Sequence, residues 1–113
     1  MRILVTLTAA LFLAACTGAP ARQDRITPAP DLKGLGIVGS DQRLDFGRAP
    51  EGVITALNRS YRRSKVRDLA GCPADIRQQI AWGDLILTFT DEAFVGWRVG
   101  NTFAGTVCID PAA

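Results

Sequence analysis

The chain has 113 residues, 13 of them Lys or Arg and 11 Asp or Glu, with no histidine and a formal net charge of +2. That length supports one small domain rather than two. The missing histidine excludes Ser-His-Asp and Cys-His nucleophilic arrangements, and so slight an excess of positive charge leaves no electrostatic footprint for nucleic acid.

Arg2 precedes an apolar run from Ile3 to Ala15 that closes on Leu13-Ala14-Ala15-Cys16. A positive start, about a dozen apolar residues and small residues before a cut describe a secretory leader, too short for the ~20 helical residues that cross a bilayer. Leu13-Ala14-Ala15-Cys16 resembles the lipobox of bacterial lipoproteins. The resemblance implies that residues 1–15 are removed as a signal peptide, that the Cys16 thiol carries a diacylglyceryl group, and that the new amino end is acylated. Two or three acyl chains, at ~0.8 kcal/mol per buried methylene, hold a protein on a membrane stably. The same stretch also reads as a plain secretory leader with an incidental Cys16, or as a buried N-terminal helix. Thr17 is not the aspartate that resembles an inner-membrane retention signal. In a Gram-negative envelope the expected location is therefore the outer membrane, facing the periplasm, with the membrane itself as a partner through the lipid anchor.

Cleavage before Cys16 leaves 98 residues (113 − 15) and two further cysteines, Cys72 and Cys108. In an oxidising compartment such a pair is expected to form a disulfide, contributing ~3 to 4 kcal/mol through the loop it closes. A metal site is the alternative. Zinc takes about four Cys, His or carboxylate ligands in close array, so no metal and no cofactor are expected.

From Thr17 to Asp31, Pro20, Pro28 and Pro30 with few bulky apolar residues suggest an extended tether, so that 16–31 is lipidated cysteine plus linker and 32–113 the folded domain. Leu35 to Gly39 and Leu44 to Gly47 are Gly-punctuated and alternating, suited to one short strand or an extended entry. Val53, Ile54, Leu57 and Tyr61 share one helical face. Pro50 fits a first turn and Glu51 the positive end of the dipole, which predicts a helix over Pro50 to Ser64. After Cys72-Pro73 the period changes to two. Ile80 and Trp82 alternate with polar or small neighbours, Gly83-Asp84 offers a bend or bulge, and Leu85, Leu87 and Phe89 share a face. Asp91-Glu92 marks a reversal into Ala93 to Val99, where Val95, Trp97 and Val99 fall on one side and Phe94, Gly96 and Arg98 on the other. Gly100-Asn101 turns the chain into a last strand, Thr102 to Ile109. The expected fold is α+β: one amphipathic helix on a three- or four-stranded antiparallel meander, with one disulfide.

Phe46-Gly47, Glu51 to Leu57, Trp82-Gly83-Asp84-Leu85, Phe89-x-Asp91 and Phe94-Val95-Gly96-Trp97 together resemble the small secreted or lipidated domains of the BamE/SmpA and β-lactamase-inhibitor-like superfamily. The resemblance implies a short helical region followed by a meandering antiparallel sheet, used as a non-enzymatic binding or assembly-supporting module of the cell envelope. It carries over no functional residue.

Four features are candidates for chemistry or binding. Asp84, Asp91 and Glu92 could act as paired acid and base, but all fall at predicted turns, where acids are ordinary solvated punctuation. The glycines of Gly34 to Gly39 lack the following helix that would aim N–H groups at a phosphate. Arg59, Arg62, Arg63, Lys65 and Arg67 put five cations within nine residues, answered locally only by Asp68. Such a cluster suits an anionic headgroup, a lipopolysaccharide phosphate, a peptidoglycan carboxylate or an acidic protein; the commoner reading is a solvated helix end whose cations complement the dipole. Trp82 and Trp97 read either as core or as an exposed aromatic platform. The expected function is that of a lipid-anchored, non-enzymatic accessory or interaction module with an envelope protein partner. The alternative is an inhibitor of a hydrolase or a binder of cell-wall fragments, and discovery of a saturable inhibited enzyme would favour it.

Overall fold

The computed structural model describes residues 25–109 and has an α+β fold, with one helix and two antiparallel sheets of three and five strands. Residues 1–15, Cys16 and Thr17 lie outside the described residues, so the leader and lipidation readings fall there too.

The smaller sheet consists of β1 (Pro28–Asp31), β2 (Gly34–Ile37) and β3 (Arg43–Asp45), in that order. Pro28 to Asp31, expected to be tether, is therefore strand, and the fold starts before Leu32. Its prolines fit because β1 pairs only with β2: an edge strand has one side on which a missing N–H costs nothing. The hairpin turn at Leu32-Lys33 is closed by the Lys33 amide donating to Asp31 Oδ1 at 2.9 Å. Leu35 and Leu44 send their side chains into the core.

The helix, α1 (Pro50–Ser60), begins as expected with Pro50 in the first turn and Glu51 behind it. Val53 and Leu57 are fully buried, and Ile54 and Tyr61 pack at the core margin. It ends four residues earlier than the periodicity predicts. Ser60 Oγ donates back to the Ala56 carbonyl at 2.9 Å and accepts the Ile26 amide at 2.8 Å, while Tyr61 turns extended at φ −119°. A hydroxyl bonded to the preceding turn competes with helix propagation, and the chain leaves toward the sheet.

The larger sheet is a five-stranded meander of β4 (Lys65–Arg67), β5 (Gln78–Trp82), β6 (Leu85–Phe89), β7 (Phe94–Val99) and β8 (Thr102–Gly105). Gly83-Asp84 and Gly100-Asn101 make its two-residue turns. In each the glycine comes first, at φ +61° and +60°, and the second residue stays at negative φ, the type II′ geometry that matches strand twist. Ile80, Trp82, Leu85, Leu87, Phe89, Phe94, Trp97 and Ala104 face the helix and the small sheet and form the core with Leu35, Leu44, Val53 and Leu57.

One face assignment is corrected. Strict alternation separates Phe94 from Trp97, yet both are buried in the same core. The ladder pairs Thr88 with Gly96 and Phe89 with Phe94, so Val95 is an extra residue without a partner. This β-bulge flips the alternation within β7. Phe94 then packs edge-on against Phe46, with ring centroids 5.1 Å apart, and beside Phe89 at 5.7 Å.

The sheets are also joined by hydrogen bonds. Trp97 Nε1 donates to the Asp31 carbonyl at 2.7 Å, Gly47 N–H to the Phe94 carbonyl and Phe94 N–H to the Arg48 carbonyl, both at 2.8 Å. Trp82 Nε1 donates to Asn58 Oδ1 at 2.9 Å, which fastens the helix to β5. Buried indoles need such partners.

Candidate interaction surfaces

The face of the larger sheet away from the helix carries Lys65 and Arg67 on β4, Gln79 and Ala81 on β5, Ile86 and Thr88 on β6, Gly96 and Arg98 on β7, and Phe103 on β8, as the ladder register requires. Part of it is covered by the chain itself. β8 stops at Gly105 instead of reaching Ile109, because at Gly105 (φ +75°) the backbone turns and residues 106–109 cross the outer face as a strap. Thr88 Oγ1 donates to the Thr106 carbonyl, Thr106 N–H to Val95 O at 2.8 Å, Arg98 Nη1 to Cys108 O at 3.2 Å, and Ile109 N–H to Gly71 O at 2.9 Å. The expected Cys72–Cys108 disulfide bolts the strap to the 68–72 loop, and Gln79 Nε2 holds that loop through the Asp68 carbonyl at 3.0 Å. Gly96 makes room for this crossing. A Cβ there would sit 2.6 Å from Thr106 C and from Thr88 Oγ1, and closer still to the Thr106 oxygen.

The five-cation run does not form one patch. Arg59 lies in the last turn of α1 and Arg62 and Arg63 in the loop beyond it, exposed beside the half-buried Tyr61. Lys65 and Arg67 belong instead to β4 and the outer face, where Arg67 and Arg98 line a recess of about 130 Å³ with Gln79, Cys108 and Ile109. Arg98 was not singled out from the sequence, because it is far from the run along the chain and only strand pairing brings it near. None of Arg59, Arg62, Arg63, Lys65, Arg67 or Arg98 makes an ion pair with a carboxylate among the described residues.

The carboxylates are not brought together. Asp84 occupies the β5–β6 turn and Asp91 and Glu92 the β6–β7 turn, at opposite ends of β6. Asp91 meets the Arg77 guanidinium at 3.5 Å on the exposed rim. Trp82 and Trp97 are core residues, at 1 % and 5 % exposure, so the aromatic platform is not formed. Among the described residues no group of three His, Cys, Asp or Glu is close enough to hold a metal ion, and no helix is long and apolar enough to cross a membrane.

The strongest side-chain ion pairing lies on the small sheet. Arg43 donates from Nη2 to Asp31 and from Nε to Asp45, at 2.7 Å each. Hydrogen bonding from Arg43, then from the Lys33 amide, lowers the Asp31 pKa below the usual carboxylate value, and both carboxylates raise that of Arg43.

Comparison of the chain with protein-family models, with curated proteins and with solved structures finds no match.

Proposed function

We propose that this chain is a lipid-anchored, non-enzymatic interaction module of the cell envelope, held through Cys16 at the outer membrane and facing the periplasm. The observation that carries the reading is the Cys72–Cys108 disulfide. Protein disulfides persist in oxidising compartments, which is where an exported leader ending on Leu13-Ala14-Ala15-Cys16 would deliver the domain. A three-stranded sheet precedes the helix and the five-stranded meander, so the resemblance to BamE/SmpA-type envelope domains stands on the sequence alone. Two exposed cationic surfaces, one at the helix end and one beside the strap, offer docking sites for an envelope partner.

Intact mass of the protein purified from its native membrane is the test. A mass that begins at Cys16 and includes acyl chains supports the reading, as does recovery of an envelope protein after crosslinking in whole cells. A chain that keeps Met1, or one that leaves the membrane fraction without detergent, would refute it.

A further inference from the structure

Resting on the lipid-anchor reading, we propose that the end of the domain bearing Arg25, Arg59, Arg62, Arg63 and Lys65 lies against the anionic lipid headgroups of the membrane that holds Cys16. The chain enters the fold at that end. Ile26 N–H bonds Ser60 Oγ at 2.8 Å, which puts Arg25 beside the last turn of α1. Eight residues, 17–24, lie between Cys16 and Arg25, and the nine steps (25 − 16) span at most ~30 Å of fully extended chain. An acylated Cys16 would thus tether the domain by this end.

Charge follows the same axis. The entry end also includes the β2–β3 loop, the β5–β6 turn and the start of β4, because Ile37 pairs with Pro28, Trp82 bonds Asn58, and Lys65 pairs with Ala81. Its charged residues are Arg25, Arg59, Arg62, Arg63 and Lys65 against Asp41 and Asp84, a net of +3 (5 − 2). At the far end stand Asp31, Asp45, Glu51, Asp68, Asp75, Asp91 and Glu92 against Lys33, Arg43, Arg48 and Arg77, a net of −3 (7 − 4). Arg67 and Arg98 lie between. The five cations of the entry end are exposed, and none is neutralised by an ion pair among the described residues. Attraction of this kind fades within a Debye length, ~8 to 10 Å at physiological salt. The link to the lipid lets these cations come within that range, and a polybasic surface then adds a second membrane contact to the acyl chains.

The experiment uses the acylated full-length mature protein in vesicles, with energy transfer from its tryptophans to a dansyl-labelled headgroup as the reading of apposition. Transfer is expected to be high in vesicles containing phosphatidylglycerol, low in pure phosphatidylcholine, and lost at high salt. The variant Arg59→Gln/Arg62→Gln/Arg63→Gln should lower the ratio of docked to undocked domain on the order of 100-fold, about fivefold per charge. Lys33→Gln/Arg48→Gln, at the far end, should leave it unchanged, with circular dichroism verifying that both variants fold. Equal transfer on neutral and anionic vesicles, equal loss in the two variants, or apposition only when membrane proteins are present would overturn the proposal, the last in favour of an acidic protein. Intact mass keeps the two readings apart. If the native protein carries no acyl chain the anchor fails, while salt-sensitive co-sedimentation of the unacylated chain with phosphatidylglycerol vesicles still reads the surface.

Discussion

The two faces of the five-stranded sheet are stabilised by different physics. On the inner face Trp82, Leu87, Phe89 and Phe94 are almost fully removed from water against Val53 and Leu57 of the helix and Leu35 of the small sheet. On the outer face a four-residue strap is held by Thr88, Arg98, a pair of backbone hydrogen bonds and one covalent bridge. Apolar burial is spread over many contacts and tolerates the loss of none cheaply. A polar strap depends on a few named atoms, each of which can be removed separately.

That contrast can be broken at its strongest point first. Phe94→Ala should cost ~3 to 5 kcal/mol, since it empties a site between the Phe46 and Phe89 rings; urea denaturation monitored by tryptophan emission measures it, and a loss under about 1 kcal/mol would mean the inner face is loosely packed. The double substitution Cys72→Ser/Cys108→Ser should cost ~3 to 4 kcal/mol. It should leave the emission of the folded state blue and unchanged, because neither indole touches the strap; a red shift would show that the two faces are not independent. Thr88→Val keeps the shape of the buried Thr88 side chain but removes its hydroxyl donor to the Thr106 carbonyl, for a loss of ~0.5 to 1.5 kcal/mol. If Thr88→Val were neutral, the hydroxyl would have no part in holding the strap.

The smallest effect is a pH dependence on the small sheet. The Asp31 pKa is lowered in the fold, chiefly by the Arg43 hydrogen bond. Its contribution is therefore present above the ordinary carboxylate pKa and is lost as pH falls through that value toward the depressed one. Asp31 is exposed and Arg43 half-buried, so solvent screens the pair and the effect is modest. Asp31→Asn should flatten the acid side of the stability profile while leaving the neutral plateau nearly in place, and an unaltered acid slope would remove Asp31 from the account.

The inner face was the more legible in the sequence. Period-two apolar residues in β5 and β6, the Gly-led turns and the Pro50 start each have a local signal, whereas on the outer face only the cysteine pair has one. The small sheet was legible only in part: Leu35 to Gly39 and Leu44 to Gly47 read as one short strand or an extended entry, but Pro28 and Pro30 oppose strand propensity and only the edge position of β1 reconciles them with a ladder. The bulge at Val95 was equally hidden: nothing local marks which residue a ladder will leave unpaired. The early end of the helix depends on a hydrogen bond between Ser60 and Ile26, 34 residues away. The cationic surfaces were half visible. A run of five charges shows that cations are abundant, but which face each one joins is decided by where Ser60 stops the helix and where β4 begins to pair.

The sheet margins have a further consequence. β1 carries two prolines, β3 is flanked by Arg43 and Asp45, and β4 is three residues long with Lys65 and Arg67. Of the four sheet margins among the described residues only β8, Thr102–Gly105, has neither charge nor proline, and its Phe103 is 57 % exposed. Of these margins β8 is therefore the least defended against pairing with a strand of another chain, and a charge in place of Phe103 would close it.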